Sequence, residues 1–171
     1  RTAVIISADH GEALGEHGQY RHGFEVWNTL ARVPLIVLLP GAPARTLQVN
    51  RSHLDLAPTV LSLFGVPVPA DMQGVSLVSE LRGGPAPERD VWVDLARTSI
   101  NERRRALLHG RHKILAIGDD RRFEAFDLEA DPGELHSIRT TDPATYADLL
   151  ARYRAGASRL REVAATNLPR R

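Results

Sequence analysis

Two short runs of uninterrupted apolar residues constrain this chain most: AVIIS at residues 3–7 and PLIVLL at residues 34–39. Strands apolar at every position belong to sheets covered on both faces, where no solvent side calls for alternation. The second run stops at Pro40 and Gly41, residues that end regular structure. With a helix predicted over residues 24–31 between them, the two strands indicate a crossover in an α/β sheet. The loop leaving the first strand, ADHGEALGEHGQYRHG, holds three of the seven histidines and four glycines. Ligands in open α/β sheets bind beyond the carboxyl ends of strands, so this loop is delivered to the place where a site forms.

The next segment reads as a helix over residues 53–64, capped by Asp55, with Pro58 in the first turn and Gly65 at its end. Leu56, Val60, Leu63 and Phe64 are its predicted buried stripe. Ser76 caps a short helix through Leu81, stopped by Gly83 and Gly84. Residues 83–90, GGPAPERD, mark a boundary by their glycine, proline and charge. Short alternating strands follow over residues 91–95, 105–109, 112–117 and 122–128, with tight turns between the last three, as in antiparallel hairpins. A final helix starts at Asp142-Pro143 and runs to about Ala165, placing Tyr146, Leu149, Leu150, Tyr153, Ala157 and Leu160 on one face. The predicted fold is therefore α/β: the end of a larger mixed-sheet domain over residues 1–82, a linker over 83–90, and a small antiparallel sheet with a long helix over 91–171.

Twenty-two basic residues face 21 acidic ones, for a net charge of +1. No strong field favours nucleic acid or an anionic membrane, and no window approaches the ~20 apolar residues of a membrane span, so neither partner is expected. Without cysteine there is no disulfide or thiolate metal site, and the redox compartment is unread. Lys113 is the single lysine among many arginines, a bias suggesting a GC-rich bacterial gene, with cytoplasm and periplasm both open.

Asp9-His10-Gly11 is the strongest local signal. A carboxylate beside an imidazole makes a natural metal half-site, and glycine permits the close turn that aims both inward. Alone, the same tripeptide also suits a turn in which Asp9 accepts from local backbone.

Beyond that turn, SADHGEALGEHG, RHGFEVWNTLARVPLIVLLPG, HLDLAPTVLSLFGVPVPADMQGVSL, HKIL and FEAFDLEADPGELHSI together resemble, in order, the C-terminal portion of the type I sulfatases of the alkaline phosphatase superfamily. The resemblance covers most of residues 2–138. It implies a sulfatase/alkaline-phosphatase-like sheet in which Asp9 and His10 match the two late metal ligands. Calcium is the family's usual ion, while an imidazole ligand suits manganese or zinc. The ion would hold the sulfate oxygens and offset charge built up as the S–O bond breaks.

His22 matches a position where the family places a cation at the sulfate, and is the candidate catalytic residue, binding sulfate or protonating the leaving oxygen. Arg21 is the adjacent alternative cation. His17 either lines the substrate pocket or bonds its own loop. Glu12 is read as stabilising the turn, and His53 as a structural residue at a helix entry. His109, His112 and His136 are surface or packing residues, and Trp27 and Trp92 core.

The resemblance implies a sulfate ester as substrate. A phosphoesterase or phosphonate hydrolase of the same superfamily is the alternative, and a non-catalytic binding module that kept the fold is the other. The family's nucleophile, a formylglycine made within a C/S-x-P-x-R motif, is expected upstream, since no such motif occurs here. The missing N-terminal part is thus a required partner. The 171 residues alone are expected to be inactive, to bind metal weakly, and to self-associate through the apolar flank at residues 3–6.

Overall fold

The computed structural model describes residues 2–99 and 101–160. Strand β1 (Val4–Ser7) pairs antiparallel with β4 (Leu35–Leu38), Ile6 opposite Ile36. The connection between them therefore returns rather than crosses over. It contains a small ribbon, β2 (Ala13–Leu14) with β3 (Tyr20–Arg21), a 3-10 turn at Glu16–Gly18 and helix α1 (Asn28–Ala31). The two apolar strands are not buried on both faces. Their outward row leaves Ile6 49%, Ile36 51% and Leu38 57% exposed, and nothing among the described residues covers it.

Helix α1 starts four residues later than predicted, and the cause is tertiary. A helix from residue 24 would use the Asn28 N–H and the Val26 carbonyl in its own ladder. Both are engaged elsewhere: Asn28 N–H donates to Glu134 Oε2 at 2.5 Å, and Val26 O accepts from Lys113 Nζ at 2.7 Å.

Helix α2 (Leu56–Leu63) follows a 3-10 turn, His53–Asp55. Ser52, not Asp55, is the cap; Asp55 completes a capping box by accepting from the Ser52 N–H at 3.0 Å. The predicted stripe is also displaced. Val60 and Phe64 are exposed, and Asp55, Pro58 and Thr59 are the buried positions. Asp55 draws this face inward by accepting Val75 N–H at 2.8 Å and both Nη groups of Arg89, at 3.1 and 2.7 Å. Helix α3 (Val78–Leu81) forms within the expected span, but Leu77 and not Ser76 holds its cap position; Ser76 Oγ accepts the Val78 N–H only at 3.4 Å. Residues 83–90 contain no helix or strand, yet Arg89 ties them to Asp55, and Arg51 reaches the Pro87 carbonyl at 3.2 Å.

The antiparallel sheet runs β5 (Val91–Leu95), β6 (Arg104–His109), β7 (His112–Ile117) and β8 (Arg122–Asp127), neighbours in chain order. Both faces are buried. Leu107, Ile114, Ala116 and Ala125 pack under Leu149 and Tyr153 of helix α4 (Pro143–Ala157). On the opposite face, Ala106, Leu115, Ile117 and Phe126 receive Val26 from the long connection. Helix α4 presents the predicted stripe from Tyr146 to Ala157, with Leu160 falling past its end and Asp142 accepting the Thr145 N–H at its start. It ends at Ala157, and the predicted continuation beyond residue 160 lies outside the described residues.

Asp55 gives this part of the fold its test. Burial raises its pKa, but the Arg89 guanidinium and the Val75 and Ser52 N–H groups outweigh it and hold the carboxyl below the usual carboxylate range. A lowered folded-state pKa stabilises the protein above the unfolded value and loses that contribution as pH falls through the folded one. Asp55→Asn is expected to cost about 3 kcal/mol at pH 7 in urea unfolding, with the gap to the parent narrowing in acid. An unchanged urea midpoint at pH 7 would contradict this role.

Candidate functional site

The turn after β1 is set by one close approach. Gly11 N–H donates to the Leu30 carbonyl at 2.8 Å, and a Cβ on Gly11 would lie 1.9 Å from the Thr29 carbonyl oxygen. Only glycine lets the strand end meet α1 this closely. Asp9 and His10 are thereby held at the carboxyl end of β1. The Asp9 carboxylate accepts the His10 N–H at 3.0 Å and is otherwise open to solvent. Its pKa is lowered, first by that backbone N–H and further by the His10 and His22 rings.

His10 Nδ1 lies 2.7 Å from the Gly11 carbonyl. Donation from Nδ1–H there leaves Nε2 unprotonated as the ligand atom, and Nε2 is 3.7 Å from the Asp9 carboxylate. The β2–β3 ribbon then folds the loop back so that the His22 ring lies 4.0 Å from the His10 ring, tilted by 30°. His22 Nδ1 meets Glu12 Oε2 at 2.6 Å. His10, Glu12 and His22 each offer a ligand atom within 4.8 Å of the others'. All three are exposed, and a divalent cation fits this donor set of two imidazoles and carboxylate oxygen beside Asp9.

Glu12 is the residue that sequence reasoning placed elsewhere. Its expected place is the turn after β1, where Asp9 instead accepts the backbone N–H of His10, while Glu16 accepts the Leu14 N–H at 2.7 Å in the next turn. The available signal was the ribbon: Ala13 pairs with Arg21, so the flanking Glu12 and His22 meet. Arg21 lies in the ladder with a positive φ of 74° and is exposed; no contact brings it to the cluster. His17 stacks flat on Trp27, ring centres 4.1 Å apart and planes within 8°, away from the His10–Glu12–His22 group.

Trp27 is accordingly more than core, supporting His17 on one face and meeting Phe126 edge-on. His53 turns its Nε2 to Ser7 Oγ at 3.1 Å, two residues before Asp9. His109, His112 and His136 each lie near one aspartate: Asp90 at 2.9 Å, Asp127 at 3.9 Å and Asp131 at 3.9 Å. None joins a group of three among the described residues.

The family model described as N-sulphoglucosamine sulphohydrolase, C-terminal, matches residues 15–162. Arylsulfatase K of Mus musculus is 32% identical over 155 residues, 84% of this chain and 28% of its own. The delta 4,5-hexuronate-2-O-sulfatase of Bacteroides thetaiotaomicron is 30% identical over 162 residues, 90% of this chain and 33% of its own. A solved 2-O GAG sulfatase superposes with a TM-score of 0.78 at 27% identity, covering 91% of this chain and 35% of that one. A phosphonate monoester hydrolase of Agrobacterium radiobacter, at 20% identity and a TM-score of 0.71, shares the fold. The fold is that of the sulfatases. The chain belongs to the sulfatases, matching their N-sulphoglucosamine sulphohydrolase C-terminal family, and spans about a third of the curated relatives it matches.

Gly11→Ala tests the geometry of the turn. The added methyl has to push the strand end away from α1, so a loss on the order of 1–3 kcal/mol is expected in thermal or urea unfolding. A variant as stable as the parent would show that the approach at Leu30 does not set the turn.

Proposed function

We propose that the full-length protein is a metal-dependent sulfatase that hydrolyses sulfate esters, with sulfated sugars as the substrate class. The observation that carries this is the convergence of Asp9, His10, Glu12 and His22 at the end of β1 in a chain of the sulfatase family. The sugar assignment rests on likeness to the hexuronate-2-O-sulfatase and the 2-O GAG sulfatase. The remainder of the protein is expected to supply the formylglycine nucleophile and the cover for the exposed row of β1 and β4.

In this reading Asp9 and His10 hold a divalent cation, calcium by family likeness, with manganese or zinc favoured by the imidazole. The cation supplies charge stabilisation at the sulfate oxygens. His22 is the general acid. Its Nδ1–H is held by Glu12 at 2.6 Å, which leaves Nε2 to deliver a proton to the leaving sugar oxygen and makes Glu12 its positioning residue. Neither Arg21 nor His17 has a contact that gives it a share in this step. The division into a large domain ending near residue 82 and a small one from residue 91 is part of the same proposal, supported by the absence of regular structure over 83–90.

Two measurements on the full-length protein test the reading. Asp9→Ala and His10→Ala are each expected to lose bound divalent metal by elemental analysis; full metal content in both sinks the ligand assignment. His22→Ala should lower kcat by about 10²–10⁴ for esters with poor leaving groups and far less for activated aryl sulfates, with Glu12→Gln between parent and His22→Ala. Equal loss across the series assigns His22 to sulfate binding instead.

A second reading takes His10, Glu12 and His22 together as the ligands, favoured by their mutual reach of 4.8 Å. It predicts that His22→Ala loses the metal, where the general-acid reading predicts retention.

A further inference from the structure

Lys113 has no exposed surface, and it is the only lysine in the chain. An ammonium group carries three donors; here it donates to Val26 O at 2.7 Å and Asn28 Oδ1 at 3.3 Å, and forms an ion pair with Glu134 Oε1 at 2.5 Å. Glu134, equally buried, uses its other oxygen to accept the Asn28 N–H at 2.5 Å. Lys113 reaches this point because it shares the face of β7 that carries Leu115 and Ile117, against which Val26 packs. Glu134 arrives from the DPGE turn, at a positive φ of 54°. A side chain of the small sheet and one from its exit loop thus grip the backbone of residues 26 and 28. A buried ion pair adds little net stability compared with apolar packing; its best-attested use is to specify an arrangement.

What is gripped reaches the candidate site through α1, and reaches His17, elsewhere in the same loop, through Trp27. Trp27, between the two held residues, is the platform on which His17 stacks. Asn28 opens α1, whose Leu30 carbonyl accepts Gly11 N–H directly after His10. A helix of four residues cannot hold itself in place. A second ion pair, Arg104 to Glu25 at 2.9 Å, grips the same segment one residue upstream of Val26.

We propose that Lys113 and Glu134 are positioning residues for the site at the end of β1. They fix residues 26–28, so that α1 sets the Asp9-His10 turn and Trp27 sets His17, and they themselves touch no substrate. The importance of that site rests on the sulfatase reading, whereas the placement of the turn and of His17 is measurable without any substrate.

The test uses the full-length protein carrying Lys113→Met together with Glu134→Gln, which removes both charges at nearly constant volume, beside the parent and a Trp27→Ala control. In histidine-labelled protein, the His17 ring protons of the parent should be displaced upfield by the Trp27 ring current. The double variant should lose most of that displacement and approach the Trp27→Ala position. Hydrogen exchange at Gly11 should accelerate by at least about tenfold while β6 and β7 keep their protection, since local opening is separable from global unfolding. Unchanged His17 resonances and unchanged Gly11 exchange in a folded double variant overturn the proposal.

Should the double variant not fold, the unaltered protein decides. The Asn28 N–H is expected to exchange at the rate of the β7 amides, and exchange about a hundredfold faster overturns the grip. Absence of sulfate-ester turnover in the unaltered protein would count against the sulfatase reading alone.

Discussion

One ammonium group sealed from water governs how the connection between β1 and β4 meets the small sheet. Burial holds the Lys113 pKa below its ordinary value, against the opposing pull of Glu134. The group can stay in the core only where acceptors are already arranged around it. Those acceptors are the backbone of Val26, the side chain of Asn28 and the carboxylate of Glu134. Satisfying them dictates where α1 begins, brings Val26 against Phe126 and Leu115, and leaves Trp27 half-buried at the edge of the loop that holds the histidines.

The small sheet was the most legible part of the sequence. Tight turns at Gly110-Arg111 and after Gly118, with apolar strands between them, specify β6 to β8 almost residue for residue. The stripe Tyr146, Leu149, Tyr153 specifies the face of α4. The expected alternation in these strands does not hold: Ala106 to Leu108 and Ile114 to Ile117 are consecutive apolar runs, buried on both faces because the sheet is covered twice. The start of α1 was illegible for a clear reason. Its competitors for backbone hydrogen bonds lie 87 and 106 positions away, beyond the reach of any local pattern. The face of α2 departs from its apolar periodicity, which marks Val60 and Phe64, because a buried carboxylate, Asp55, decides which side turns inward.

At the candidate site, the apolar run before Asp9 and His10 marked their place at a strand's carboxyl end, and the ribbon brings His22 back beside them. Glu12 could not be ranked without the ribbon register, since a glutamate after glycine serves a turn as readily as an imidazole. His17 and Arg21 share the loop without meeting the cluster. Both lie in a loop rich in functional residue types, yet His17 stacks on Trp27 and Arg21 stays in the ladder. The apolar runs of β1 and β4 have the composition of doubly covered strands but expose Ile6, Ile36 and Leu38. A chain spanning about a third of its relatives' length need not carry its own cover.

The role of Asp9 and His10 depends on a cation at the end of β1. The most direct measurement is a crystal structure of the full-length protein grown with manganese, with the ion located by its anomalous scattering. The account predicts an anomalous peak about 2.0–2.6 Å from both an Asp9 carboxylate oxygen and His10 Nε2. A peak bound elsewhere, with Asp9 and His10 left to solvent, would contradict it.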